Sequence, residues 1–401
     1  MPLSLYSLAV AVFAMGTSEF MLAGLLPDIA ADLGVTVATA GTLTSAFAIG
    51  MIAGAPLMAG LVRDRPPRSG LLAFVLVFVA AHVVGAATSN FPVLFASRIV
   101  AALANAGFLA VAVTTAAAVV PANRKGRALA VLLSGTTVAT VAGVPGGAVL
   151  GAMFGWRVTF WAVAVLCVPA AAGILWGIPA RSGRAGEAGG RVPRPGLARE
   201  LAQLRSPRLI LAMLLGALVN AATFASFTFL APVVTGAAGM DPLWIPVVLV
   251  LFGAGSFVGV TVAGRLSDQH SGLVIAAGGP LLLIGWPALA VLAGEPALLL
   301  TLVFVQGALS FALGSTLITR VLYEAAGAPA MAGSYATAAL NVGAAAGPLM
   351  AAATLGTAAG DLGPLWLSGL LVAIALLIAL LIALPPAVVR RERPPWRARP
   401  R

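Results

Sequence analysis

Charged residues are so sparse in this chain that they cut it into long apolar lengths, and those lengths dictate the fold. Eleven windows carry no charge at all: 33–62, 69–97, 99–123, 128–156, 158–180, 209–240, 242–264, 269–294, 296–319, 325–360 and 362–389. A twelfth, 1–27, is broken only by Glu19. Each is long enough for the ~20 apolar residues with which a helix crosses a bilayer. A barrel strand needs only about 10 residues of alternating polarity, and no such alternation is present. The spacing predicts twelve spans in an all-α membrane protein. Composition agrees: 61% of the 401 residues are hydrophobic and 9% charged, more apolar surface than a soluble fold could bury. Window 1 lacks a basic leader and a small-residue cleavage site, so it is expected to stay as the first span.

The net charge of +11 suggests a nucleic-acid partner until the basic residues are placed. If the N-terminus is cytoplasmic, 21 of the 23 Lys and Arg fall in inward-facing connections or the tail, among them Arg63, Arg65, Arg68, Arg124, Lys125 and Arg127. Outward connections carry Asp28, Asp32, Asp241, Glu295 and Asp361, with Arg157 the one basic residue there. That is the positive-inside pattern, and it predicts both termini in the cytoplasm. Topology accounts for the charge, and no nucleic-acid partner is expected. The single Cys167 excludes an intramolecular disulfide and a Cys-based metal site, and no cofactor is called for.

The one long connection, 179–207, is rich in Gly, Pro and Arg and reads as a cytoplasmic linker with a short amphipathic helix near 197–205. It divides the chain into an N-terminal six-span bundle (1–178) and a C-terminal one (208–389), followed by a basic tail (390–401). The halves look like repeats. Asp64 after span 2 and Asp268 after span 8 lie 204 residues apart; so do the prolines Pro92 and Pro296 that open spans 4 and 10. Pro145 and Pro348, each in a Gly-rich run, are 203 apart. Duplicated helical halves around a midplane site are the architecture of secondary transporters. No phosphate loop of the GxxxxGK[ST] type and no HExxH pattern occurs, so an enzyme is not expected and transport would draw on a gradient.

Three motifs resemble the major facilitator superfamily, in particular its twelve-span drug/proton antiporters. The first joins spans 2 and 3, with Gly60, Asp64, Arg65 and Arg68; it departs from the usual pattern at Arg63 and Pro67. The second is "RIVAALANAG" in span 4, with Arg98, where Ala102 replaces the usual Gly. The third is the antiporter motif of span 5, "SGTTVATVAGVPGGAVLG", with Gly135, Gly143, Pro145, Gly146 and Gly147. Within that family, "GTSEFMLAGLLPDIA", "GWRVTFW" and "GSYATAALNVGAAAGP" resemble chloramphenicol-resistance exporters, and more distantly sugar and purine-nucleoside effluxers. The resemblance implies a monomeric, proton-coupled efflux transporter of the bacterial inner membrane that takes a small drug. A receptor or scaffold without transport is the reading from another class.

The residues themselves give that reading content. Ionisable groups inside spans cost at least about 2.5 kcal/mol each and mark pathways. Glu19 lies about 12 Å from the outer end of span 1 and Arg98 about 9 Å into span 4, by helical rise. The similar depth brings a Glu19–Arg98 interaction within reach and makes the two the candidates for proton coupling. His82 in span 3 reads as a packing residue. Candidate cavity groups are Asn105, one heptad below Arg98; Asn220, Phe224 and Phe227 on one face of span 7; Gln306 and Ser310 in span 10; and Asn341 in span 11. Each amide could equally be helix–helix glue at about 0.6 kcal/mol. Asp64, Arg65, Arg68 and Asp268 read as a cytoplasmic gate, as against ordinary surface ion pairs. The antiporter motif reads as a bend and a sliding contact between halves. The position 204 after Glu19 is Thr223, so proton chemistry would be confined to the first half.

Overall fold

The computed structural model describes residues 2–61, 66–121, 124–178, 202–327 and 331–383. Twelve helices among them are long and apolar enough to cross a membrane, and no strand occurs among the described residues. Spans 1 to 6 are Ser4–Gly24, Val37–Gly54, Pro67–Ala87, Phe91–Ala116, Arg127–Phe154 and Trp156–Gly177. Spans 7 to 12 are Pro207–Thr228, Trp244–Arg265, Gly272–Val291, Pro296–Glu324, Ala332–Thr354 and Gly360–Ile382. Asp64 and Arg65 of the expected gate lie outside the described residues, as does the side chain of Asp268. The linker is described only from Ala202, where Ala202–Arg205 forms a 3₁₀ turn; the rest of the amphipathic helix expected near 197–205 lies outside the described residues.

Local chemistry starts and stops these helices. Proline in the first turn of spans 3, 4, 7 and 10 costs nothing there, because the N–H it lacks has no partner in the helix. The Asn90 side chain caps span 4 by accepting from the Val93 N–H at 3.2 Å. Spans 5 and 6 are separated by Gly155 alone, whose φ of 85° a side chain would oppose. Spans 8 and 9 form one helical run, Trp244–Val291, yet the chain reverses within it. Gly255 and Gly259 of span 8 meet Phe304 and Ala308 of span 10 in parallel order, whereas Gly278 and Gly285 of span 9 meet Leu313 and Gln306 in antiparallel order. The chain therefore reverses between Gly259 and Gly278. Connections with Asp28, Asp32, Asp241, Glu295 and Asp361 gather at one end of the bundle, here the acidic end; Arg68, Arg124, Arg127, Arg208, Arg265 and Arg320 mark the opposite, basic end.

Packing repeats from half to half. Gly50 presses on the Ile99 carbonyl and Gly54 on Leu103; exactly 205 residues later, Gly255 presses on the Phe304 carbonyl and Gly259 on Ala308. Gly143 packs on Thr17, and 204 residues later Gly347 packs on Ala221. In both halves small residues let backbones approach, as helices do where lipid gives no hydrophobic drive. Between the halves, the Ser45 hydroxyl donates to the Ala345 carbonyl at 2.7 Å, Gly41 receives the Phe229 ring, and Gly24 sits against Ala148 and Leu249. These contacts all lie in the part of the bundle nearer the acidic end.

Candidate functional site

Five phenylalanines converge where the halves meet. Phe20 ends the α-helical part of span 1, where the chain tightens into a 3₁₀ turn (Met21–Gly24). Its ring lies 5.8 Å from Phe224 and 6.4 Å from Phe227, both of span 7. Phe227 stacks on Phe252 of span 8 at 4.9 Å, and Phe252 meets Phe311 of span 10 at 6.2 Å. Thr140 of span 5 and Ser256 of span 8 add hydroxyls to the same wall. The rings close on a void of about 10 Å³, room for about one water. Span 5 passes this point as a π-helical turn, Ala139–Gly143, a distortion that sets Thr140 against Gly253 of the other half.

Beside this void, spans 1, 3 and 4 share a buried polar network. Arg98 donates from Nη1 to the Ser18 hydroxyl and from Nη2 to the Ser18 carbonyl, each at 2.7 Å. His82 Nε2 meets the same hydroxyl at 2.7 Å, and its Nδ1 meets the Phe78 carbonyl at 2.8 Å. The guanidinium lies over the Phe47 ring at 4.6 Å and near Phe160 at 6.0 Å, a cation–π cradle that replaces part of its lost hydration. Arg98 and His82 are each 1% exposed.

Spans 1 and 4 thus meet at the expected depth, but Arg98 does not pair with Glu19. Glu19 is half-buried and forms no hydrogen bond or ion pair with the described residues. The reason is helical: successive side chains point about 100° apart, so a guanidinium docked on Ser18 does not bond Glu19, although the two groups stay within electrostatic reach of each other. His82 packs as expected, its ring 4.2 Å from Phe78 and 5.7 Å from Phe160, and with both nitrogens bonded it also closes the network.

The expected cavity residues separate by chemistry. Phe224 and Phe227 line the void. Asn220 donates to the Leu340 carbonyl at 2.7 Å and ties span 7 to span 11; Asn341 bonds its own helix at Thr337. Asn105 reaches the Met51 sulfur at 3.5 Å, and Gln306 donates to the Leu282 carbonyl of span 9 at 3.3 Å. Ser310 is buried one turn beyond Gln306 and likewise does not line the void. Of the antiporter motif, Gly135 and Gly143 pack on span 1 and Gly147 on Thr159 of span 6, all within the first half. Gly146 meets nothing within 4 Å and Pro145 is buried. The contact with the other half falls on Thr140 and Val141, which face Gly253. Arg68 is half-buried at the start of span 3.

At the acidic end a second cavity of about 890 Å³ opens between the halves. It is lined by the connection after span 1 (Asp28, Asp32), the span 5–6 junction (Trp156, Arg157) and the start of span 8 (Leu243, Ile245). On its rim Asp32 accepts from Arg157 and from Trp156 Nε1 at 3.1 Å, while Arg157 also donates to the Thr88 carbonyl at 3.0 Å. The hydrogen bond from Arg157 holds the Asp32 carboxyl below its ordinary value; burial raises that of Asp28.

A duplicated twelve-span bundle closed over an aromatic void between its halves has the architecture of a secondary transporter. The comparisons give the family. The sequence matches the Major Facilitator Superfamily over residues 8–348. It is 76% identical to the chloramphenicol resistance protein of Streptomyces lividans over 94% of this chain and 96% of that one. It is 33% identical to the inner membrane transport protein YdhP of Escherichia coli (strain K12), over 89% and 90%. Among solved structures it superposes on a bacterial homologue of the human lysosomal transporter Spinster, inward-facing and unoccupied, with a TM-score of 0.69 at 15% identity over 94% of each chain. The chain belongs to the Major Facilitator Superfamily.

Proposed function

We propose that this chain exports chloramphenicol, or an amphiphilic drug like it, in exchange for protons by alternating access. The observation that carries the reading is the 76% identity to a chloramphenicol resistance protein across nearly the whole of both chains. The void supports it: five rings with three hydroxyls beside them, those of Thr140, Thr223 and Ser256, suit a molecule with an aromatic ring and hydroxyl groups, and both halves contribute, so the drug would bridge them. In this arrangement the void is too small for any drug. Binding would need the halves to part, with residues 1–178 and 208–389 rocking as bodies about the linker.

Glu19 is the group we assign to the proton. It is a carboxylate inside a span with no partner among the described residues, and the second half has Thr223 in its place. Protonation would discharge it and alter its pull on Arg98, biasing the two orientations of the bundle. One proton moving down about 180 mV supplies roughly 4 kcal/mol, enough for close to a 10³-fold gradient of a neutral drug. The basic end would face the cytoplasm of a bacterial inner membrane, with both termini there. Asp64, Arg65, Arg68 and Asp268 would latch that end shut, and Gly135, Gly143, Pro145, Gly146 and Gly147 would let span 5 bend as the halves move. The test is resistance. Drug-sensitive cells expressing the chain should survive several-fold more chloramphenicol; equal sensitivity, with export of sugars or nucleosides instead, would move the substrate to those classes.

A further inference from the structure

The donor directions of the buried network follow from its members. Arg98 has no acceptor, so it donates to the Ser18 oxygen. The Phe78 carbonyl accepts, so His82 carries hydrogen on Nδ1. A neutral ring then has its lone pair on Nε2, and Ser18 donates its O–H there. The chain of bonds runs one way, from Arg98 through Ser18 and His82 to the Phe78 carbonyl, and every polar atom in it is satisfied except Arg98 Nε. A second proton on His82 would strand the Ser18 hydroxyl and set another cation against Arg98.

The repeat shows that the fold does not require this. At the same offset that relates the halves, Ser18 corresponds to Ala222, His82 to Trp286 and Arg98, through the Ile99–Phe304 equivalence, to Val303. All three are buried, the largest exposure being 1%. The second half fills the same positions with Ala, Trp and Val and no ionisable group, the Trp286 N–H lying buried without a partner among the described residues. Burying a cation, an imidazole and a hydroxyl in the first half is therefore a choice that packing does not explain.

We propose that His82 is a positioning residue for transport: by accepting the Ser18 O–H it holds Arg98 on Ser18 and off Glu19, and Arg98 passes from Ser18 to Glu19 when that carboxyl loses its proton. This rests on the coupling role assigned to Glu19 above. Ser18 and Glu19 are neighbours on span 1, so the passage needs only a change of rotamer in Arg98, whose unpaired Nε gives the second site a bond to offer. Away from the bundle ends, the ionisable side chains on spans 1 to 6 are Glu19, His82, Arg98 and the thiol of Cys167. Spans 7, 8 and 11, which pack against the first half, carry none there.

The experiment compares His82→Phe, which removes the acceptor, with His82→Gln, whose amide oxygen keeps one. Each is reconstituted in liposomes with Glu19 intact and with Glu19→Gln, and proton-driven chloramphenicol export is measured against pH. His82→Phe should move the pH of half-maximal export about one unit toward acid, since a released Arg98 favours the charged carboxylate. His82→Gln should restore the wild-type midpoint, and every variant carrying Glu19→Gln should lose proton-driven export. An unmoved midpoint in His82→Phe, or a shifted one that His82→Gln fails to restore, overturns the positioning role. Drug counterflow reports folding; if His82→Phe loses it, Ser18→Ala must give the acid shift, and its failure to do so is equally decisive. Unchanged proton-driven export in Glu19→Gln alone would defeat the coupling role of Glu19, and this proposal with it. An inactive Glu19→Gln beside an unshifted His82→Phe would defeat only the role of His82.

Discussion

Gly253 is where one added methyl group should reset the balance between the halves. An alanine Cβ there would sit 2.6 Å from the Thr140 carbonyl oxygen, against an ordinary contact of 3.4 Å or more. The first half must withdraw by about 0.8 Å, or spans 5 and 8 must part. Overpacking of this kind costs about 1–3 kcal/mol. The clash exists only while the halves touch, so the strain falls on this arrangement and disappears when the acidic end opens. The equilibrium should therefore move toward the open form by about 5- to 160-fold. Spin labels on Ala152→Cys and Leu243→Cys, which flank the acidic-end cavity in opposite halves, would report the change as a longer distance gaining population. Gly50→Ala is the contrast. Its Cβ would meet the Ile99 carbonyl at 2.7 Å inside one half, so it should lower thermal stability without moving the labels. An unchanged distance distribution in Gly253→Ala would mean that the π-helical turn at Thr140 yields locally, and that this contact does not hold the void closed.

Other consequences are as definite. Phe227→Ala removes a ring that touches Phe20, Phe224 and Phe252, so chloramphenicol binding measured by tryptophan quenching should weaken at least tenfold, whereas Asn220→Ala should lower the melting temperature and leave binding near wild type. The Asp32 clasp should contribute at neutral pH and be lost in acid. Its carboxyl is held below the ordinary value of 3.8, so the stability it contributes is present above that value and is lost as the pH falls through the lower, folded one. Both partners are well exposed, so Asp32→Asn should cost no more than about 1 kcal/mol and should flatten the acid limb of a melting-temperature profile below about pH 4.

The twelve spans were legible because a bilayer imposes one length on every helix, and few ionisable groups, Glu19, Arg98 and His82 among them, lie well inside a span. The duplication was legible at Asp64 and Asp268 for the same reason: residues that stop a span must recur where spans recur. Side-chain partnership was not. Depth placed Arg98 level with the end of span 1, but a rise of 1.5 Å per residue cannot tell Ser18 from Glu19, and the 100° between them decides which one the guanidinium meets. Buried amides such as Asn220 and Gln306 looked like cavity groups because their partners are backbone carbonyls, Leu340 and Leu282, which no sequence displays. A signal was available for the aromatic site. Phe20 and Phe224 are 204 residues apart, the repeat offset itself, and meet across the halves with their rings tilted by 36°; Phe47 and Phe252 are 205 apart. Carrying the offset through every aromatic residue would have placed Phe20 and Phe252 beside Phe224 and Phe227.

The central claim is that drug and proton cross in opposite directions through one protein, and proton flux measures it directly. Purified protein in liposomes with a pH-sensitive dye inside should show the lumen losing protons as chloramphenicol enters down its gradient, and Glu19→Gln should abolish that signal while drug still binds. Chloramphenicol entering through the wild-type protein with no change in luminal pH would contradict the account.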